Sequence, residues 1–180
     1  MIIWDDELEV NPLCQNSQII HCRCMSKVDN SHFLFTGVYA ATESEERSTL
    51  WMELVGLSKC ITEPWLIMGD FNNILTPEAK LRGRPVALSD YEEFQWCLDE
   101  CGVKDLWQQG KLYTWCNQRM GNERVYAKLD RALVNGEWID EFSDSITSVL
   151  MEGVSNHAPI EVQRCVMIQR GKRAFRYFNM

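Results

Sequence analysis

Pro64-Trp65-Leu66-Ile67-Met68-Gly69-Asp70-Phe71-Asn72 is an apolar run that ends abruptly in two polar side chains. Four large apolar residues in succession read as a short strand buried on both faces. Pro64 stands at the first strand position, where a missing N–H is tolerated. Gly69 closes the run, and the carboxyl ends of buried strands are where layered α/β proteins usually bind ligands. Alternation puts Asp70 and Asn72 on one side and turns Phe71 inward. A carboxylate beside an amide suits holding a water, a phosphate oxygen or a metal. The alternative is an Asx-rich turn in which both side chains merely bond backbone.

Upstream, residues 2–10, 18–26 and 32–39 are strand-like, with a turn at Asp29-Asn30-Ser31. The chain opens inside such a run with no polar lead-in, which suggests a missing upstream portion. Ser44-Glu45-Glu46 begins a helix with Leu50, Trp51, Leu54 and Leu57 at helical spacing. Downstream, 74–88 reads as a loop. Ser89-Asp90-Tyr91-Glu92 starts a helix with Phe94, Cys97, Leu98 and Cys101 on its inner stripe, and Gly102 ends it. Strands are expected over 103–107, 112–116, 125–134, 146–151 and 160–166. The second and third flank a Gly121-Asn122 hairpin turn, and 135–142 reads as a short helix. Trp65, Trp96, Trp107 and Trp115 are expected in the core. Hairpins with a few covering helices make the fold class α+β.

The chain has 180 residues and 46% hydrophobic content, enough for one domain with a real core. No apolar run approaches the roughly 20 residues that cross a bilayer. No secretory signal is evident either, so an intracellular protein without membrane contact is expected. The eight cysteines follow no zinc-site spacing and read as reduced thiols. The net charge of −8 opposes a general nucleic-acid footprint, which is basic. Local basic clusters do occur at Lys80, Arg82 and Arg84, and at Arg164 and over 170–176.

Four features then stand in order: Tyr39 after a strand, Gly69-Asp70-Phe71-Asn72, Lys128-Leu129-Asp130-Arg131, and Ser155-Asn156-His157-Ala158-Pro159. This ordered set resembles the endonuclease/exonuclease/phosphatase superfamily, the DNase I-like proteins. The strings at 65–72, 113–117 and 128–135 look most like the endonuclease domain of plant LINE-type (non-LTR) retrotransposon polyproteins. The string Ala174-Phe-Arg-Tyr-Phe-Asn-Met180 resembles the segment leading toward a reverse transcriptase. The resemblance implies a four-layer α/β/β/α sandwich over 1–168, here partial and lacking its N-terminal strands, with a linker from 169 to 180. It implies Mg²⁺-dependent cleavage of DNA phosphodiesters and, for such elements, a nuclear location. Asp70 would orient or deprotonate the water, and Asn72 would hold it. Tyr39 would contact the scissile phosphate. His157 would stabilise charge or act as acid/base, paired with Asp130, which fixes its tautomer. Thr114 would make a supporting contact.

Two departures bear on activity. The family's early Asn and metal-binding Glu have no counterpart, and its Ser-Asp-His reads Ser155-Asn156-His157. Asn156 at that metal position carries no charge, so Mg²⁺ binding should be impaired. The expected function is a nuclease-derived fragment of weak or lost activity. A phosphatase of the same superfamily or a non-catalytic interaction module are the alternatives. An open sheet edge would also make the chain marginally stable and prone to self-association.

Overall fold

The computed structural model describes Trp4 and residues 6–164. The linker expected over 169–180, the tail of the last expected strand and Cys165 fall outside these residues. Strands β1 (Leu8–Gln15), β2 (Ile19–Ser26) and β3 (His32–Tyr39) form an antiparallel meander. Asn30, with φ of 56°, makes the second turn, where the left-handed region suits Asn. Helix α1 (Ser44–Ser58) then crosses over, and β4 (Trp65–Asp70) returns parallel to β3. The short β5 (Lys80–Leu81) interrupts the long connection to α2 (Glu92–Cys101). Gly102 stops that helix in the left-handed conformation, φ 65°.

Short strands follow: β6 (Lys104–Asp105), β7 (Gln108–Gly110), β8 (Trp115–Cys116) and β9 (Tyr126–Ala127). Strand β10 (Asp130–Val134) precedes α3 (Gly136–Glu141), where the Asn135 side chain accepts the Trp138 N–H as a cap. Strands β11 (Ile146–Val149) and β12 (Ile160–Gln163) complete the described chain. They assemble as a six-stranded sheet β1-β2-β3-β4-β10-β6 and two three-stranded sheets, β12-β11-β7 and β5-β9-β8.

The pleat of the large sheet sorts its side chains into two cores. Trp65, Ile67, Leu34, Val38 and Leu133 pack with Leu50, Trp51 and Leu54 of α1 and Phe94 and Cys97 of α2. Leu66, Cys22, Cys24, Phe33, Ala132 and Val134 face the other way, against Trp138 and Phe142, with Val162 of β12 closing in. Strand β4 is therefore buried on both faces, as its composition requires. Helices, large sheet and second sheet are three of the four layers expected. No helix among the described residues is long and apolar enough to cross a membrane.

The run 125–134, expected as one strand, divides into β9 and β10, which belong to different sheets. The Gly121-Asn122 turn exists, but as a 3₁₀ turn over Gly121–Glu123 between strands of only two residues. Trp96 and Trp107 are not core residues, being 44% and 66% exposed. Trp96 lies on the α2 face away from Phe94, Cys97 and Leu98, and Trp107 sits where the chain passes between sheets. Trp51 and Trp138 fill the core instead.

Phe71 is fully buried and stacks with Phe94 at 5.1 Å and Trp51 at 6.5 Å between ring centroids. Phe71→Ala should destabilise the fold by about 3–5 kcal/mol, read as a fall in the denaturant midpoint. Buried His21 lies 2.8 Å from the Thr36 hydroxyl, which accepts the Trp65 indole N–H at 2.8 Å. Burial, with Arg23 adding, lowers the His21 pKa. The unfolded chain then binds this proton before the folded one does. Stability from this site is complete above about pH 6.5 and is lost as pH falls below it. His21→Gln should flatten that acid-side decline in urea-midpoint measurements between neutral pH and pH 5.

Candidate functional site

The site begins with strand register. Tyr39 on β3 is the partner of Asp70 on β4, and Asp70 is the partner of Asp130 on β10. Partners in adjacent strands project from the same face, so three residues distant in sequence stand in a row. Gly69 makes this possible. Its φ is 148°, and a Cβ there would lie 2.0 Å from the Val38 carbonyl oxygen. A side chain would force β3 and β4 apart just below Asp70.

Beyond Asp70 the chain leaves the sheet. Asn72 adopts φ of 45°, in the left-handed region that Asn tolerates. Asp70 Oδ1 accepts the Asn72 N–H at 2.9 Å, and Asn72 Nδ2 donates to the Ala40 carbonyl at 2.7 Å. The Asx turn and the functional reading therefore coexist. One atom of each side chain holds the backbone, leaving Asp70 Oδ2 and Asn72 Oδ1.

His157 comes from the loop before β12, which adds to β8 like a short strand. Cys116 N–H donates to Asn156 O, Ala158 N–H donates to Thr114 O, and Trp115 bridges His157. Its Nδ1 lies 2.9 Å from Asp130 Oδ2, and its Nε2 lies 3.9 Å from Asp70 Oδ2. An imidazole N–H donates to a carboxylate, so Nδ1 carries the hydrogen and Nε2 faces Asp70. One ligand atom each from Asp70, Asp130 and His157 falls within 4.8 Å of the other two, a group able to hold a metal ion. A pair of carboxylates suits a divalent cation that keeps several waters, as Mg²⁺ does.

The other expected residues take different places. Tyr39 is 72% exposed beside Asp70. Thr114 is buried, with its hydroxyl accepting the Leu129 and Asp130 N–H groups. Asn156 is exposed and lines a depression with Ser155, Cys116 and Arg124. A polar cleft of about 810 Å³ opens beside the cluster, with Asn72, Trp115 and Leu129 in its wall and Arg47, Lys80 and Arg84 farther along.

Sequence reasoning missed Asp105. It pairs with Arg131 and, at 3.2 Å, with Lys128, both of which are buried. The signal was present, because Arg131 follows Asp130 in a strand and must point to the opposite face, where a buried cation needs its own acid.

Burial raises the Asp70 pKa. The Asn72 N–H opposes this, Asp130 adds to it, and His157 opposes it. Ionised Asp70 therefore costs the fold free energy above its native pKa and nothing below about pH 3.9, where the unfolded side chain is also protonated. Asp70→Asn should raise the urea midpoint at pH 7, and the gain should vanish as pH falls through that range.

No known family model and no curated protein matches this sequence. Solved structures do match. The chain is similar to the endonuclease domain of TRAS1, a telomere-specific non-LTR retrotransposon, with TM-score 0.70 and 15% identity over 91% of this chain and 72% of that one. It is similar to beta toxin of Staphylococcus aureus, with TM-score 0.58 and 17% identity over 82% of this chain and 57% of that one. An endonuclease/exonuclease/phosphatase family protein from Leptotrichia buccalis gives TM-score 0.51 and 14% identity over 88% and 61%. The chain thus spans between 57% and 72% of the length of these structures. Its mixed sheets and helices have the DNase I-like fold of endonuclease/exonuclease/phosphatase structures.

Proposed function

We propose that this chain is a nuclease-derived phosphodiester hydrolase domain of the non-LTR retrotransposon type, acting weakly on DNA. The observation that carries the proposal is the convergence of Asp70, Asp130 and His157 within 4.8 Å. Its likeness to the TRAS1 endonuclease domain supports the substrate class.

Asp70 takes the proton of a water held between its Oδ2 and Asn72 as the water oxygen attacks phosphorus and the bond from phosphorus to the leaving oxygen breaks, that oxygen taking a proton from solvent. Asp130 fixes the orientation of His157, so that in the protonated ring the Nε2–H would donate to a phosphate oxygen as charge develops there. Tyr39, at the exposed end of the same row, contacts the phosphate from the solvent side. Asp70 and Asp130 would hold Mg²⁺, which when bound neutralises phosphate charge. The group includes no fourth His, Cys, Asp or Glu among the described residues, and Asn156 contributes no charge. Weak metal binding, and so weak catalysis, follows.

The adjoining cleft, with Arg47, Lys80 and Arg84 in its wall, favours a second reading, a phosphatase acting on a small phosphate ester. Release of inorganic phosphate without DNA cleavage would select it.

Nicking of supercoiled plasmid tests the first reading. Slow nicking that requires Mg²⁺ and disappears in Asp70→Ala and His157→Ala is expected. Nicking equal in Asp70→Ala and the parent protein, or no nicking by the parent protein at any Mg²⁺ concentration, overturns the reading.

A further inference from the structure

We infer that Thr114 is the positioning residue that sets the Asp130–His157 pair, holding the acid through its hydroxyl and the imidazole through its carbonyl. It rests on the hydrolase reading only for the use made of the pair; the geometry stands apart from it.

Asp130 opens β10 immediately after a two-residue link from β9, and backbone bonds hold most of this link. Lys128 N–H donates to the Ala79 carbonyl, and the Leu129 carbonyl accepts the Phe71 N–H. Two donors remain, the N–H groups of Leu129 and Asp130, at the point where β10 leaves one sheet for another. Thr114 Oγ1 accepts both, at 3.1 and 2.9 Å. A buried N–H without an acceptor costs about 1–3 kcal/mol, so one hydroxyl does the work of two ladder partners. Its own N–H donates to Ala127 O at 3.0 Å, which anchors Thr114 beside β9.

The carbonyl of the same residue accepts the Ala158 N–H at 2.7 Å. Ala158 follows His157, and the next residue of the Thr114 strand, Trp115, forms the bridge to His157. Thr114 is 1% exposed, so water cannot replace any of these bonds. The backbones bearing the acid and the base thus meet on one side chain and its peptide. The 2.9 Å separation of Asp130 Oδ2 and His157 Nδ1 follows from that shared anchor. Serine would preserve the hydroxyl. Valine keeps the shape, removes the acceptor and leaves two part-buried donors unmet.

The ¹⁵N spectrum of the imidazoles reads the pair without reference to activity. The neutral His157 ring should be the Nδ1–H tautomer in the parent protein and in Thr114→Ser. In Thr114→Val the Nδ1–H signal should be lost in favour of the mixture seen for a free imidazole. Thr147→Val is the control, since buried Thr147 Oγ1 has no hydrogen-bond partner among the described residues, and it should leave the tautomer unchanged. If Thr114→Val does not fold, amide exchange of the parent decides: the Leu129 and Asp130 N–H groups should be protected as strongly as those inside β10. Fast exchange of both amides overturns the proposal, as does a parent-like tautomer in Thr114→Val. Absence of plasmid nicking alone would count against the hydrolase reading and leave this one standing.

Discussion

Asp70 and Asp130 meet because β4 and β10 run antiparallel in a register that makes them partners, while β3 runs parallel on the other side and brings Tyr39 level with them. A slip of one residue in either pairing would turn an acid to the opposite face and bury it among the helices. The apolar residues below forbid that slip, since Trp65, Leu66 and Ile67 are committed to cores on both sides. The tolerance for error is small at the top of the strands, where Gly69 lets the β3 backbone approach within a distance no side chain would allow.

Charge is divided along the same pleat. Asp130 and Arg131 are neighbours in sequence and opposites in space. Arg131 runs into the helical side of the sheet, over the Phe94 ring at 6.0 Å, and finds Asp105 on the adjoining β6. Lys128 joins that group. With both cations occupied elsewhere, Asp130 has His157 as its partner. A salt bridge between Asp130 and either cation would have left the imidazole without an orienting acid. The structural ion cluster and the candidate site are therefore one arrangement seen from two faces of a strand.

The small sheet β5-β9-β8 carries out a different task. Its own apolar cluster is small, Ala127 with Ile74 and Ala79, yet it ties the loop of His157 to the large sheet through Thr114 and Trp115 and walls the polar cleft beside the acids. Strands of two residues are poor sources of stability. Here they act as stitching between segments that the hydrophobic cores hold only at a distance.

Much of this was readable from residue order. The apolar run ending in Gly69-Asp70, the inner stripes of both long helices and the end of α2 at Gly102 are local patterns, set by alternation, helical period and the freedom of glycine. The ordered polar signatures named Asp70, Asn72, Asp130 and His157, and the first, third and fourth do converge. Residues 125–134 could not be divided from pattern alone, because both halves alternate acceptably and only their neighbours differ. Trp96 and Trp107 carried apolar weight, but the faces they occupy depend on which side of a helix or crossing is covered. Partner choice lay beyond the chain's local grammar for the same reason. Whether Asp130 met Arg131, Lys128 or His157 was settled by which strand came to lie alongside β10, and that is a property of the assembled sheet.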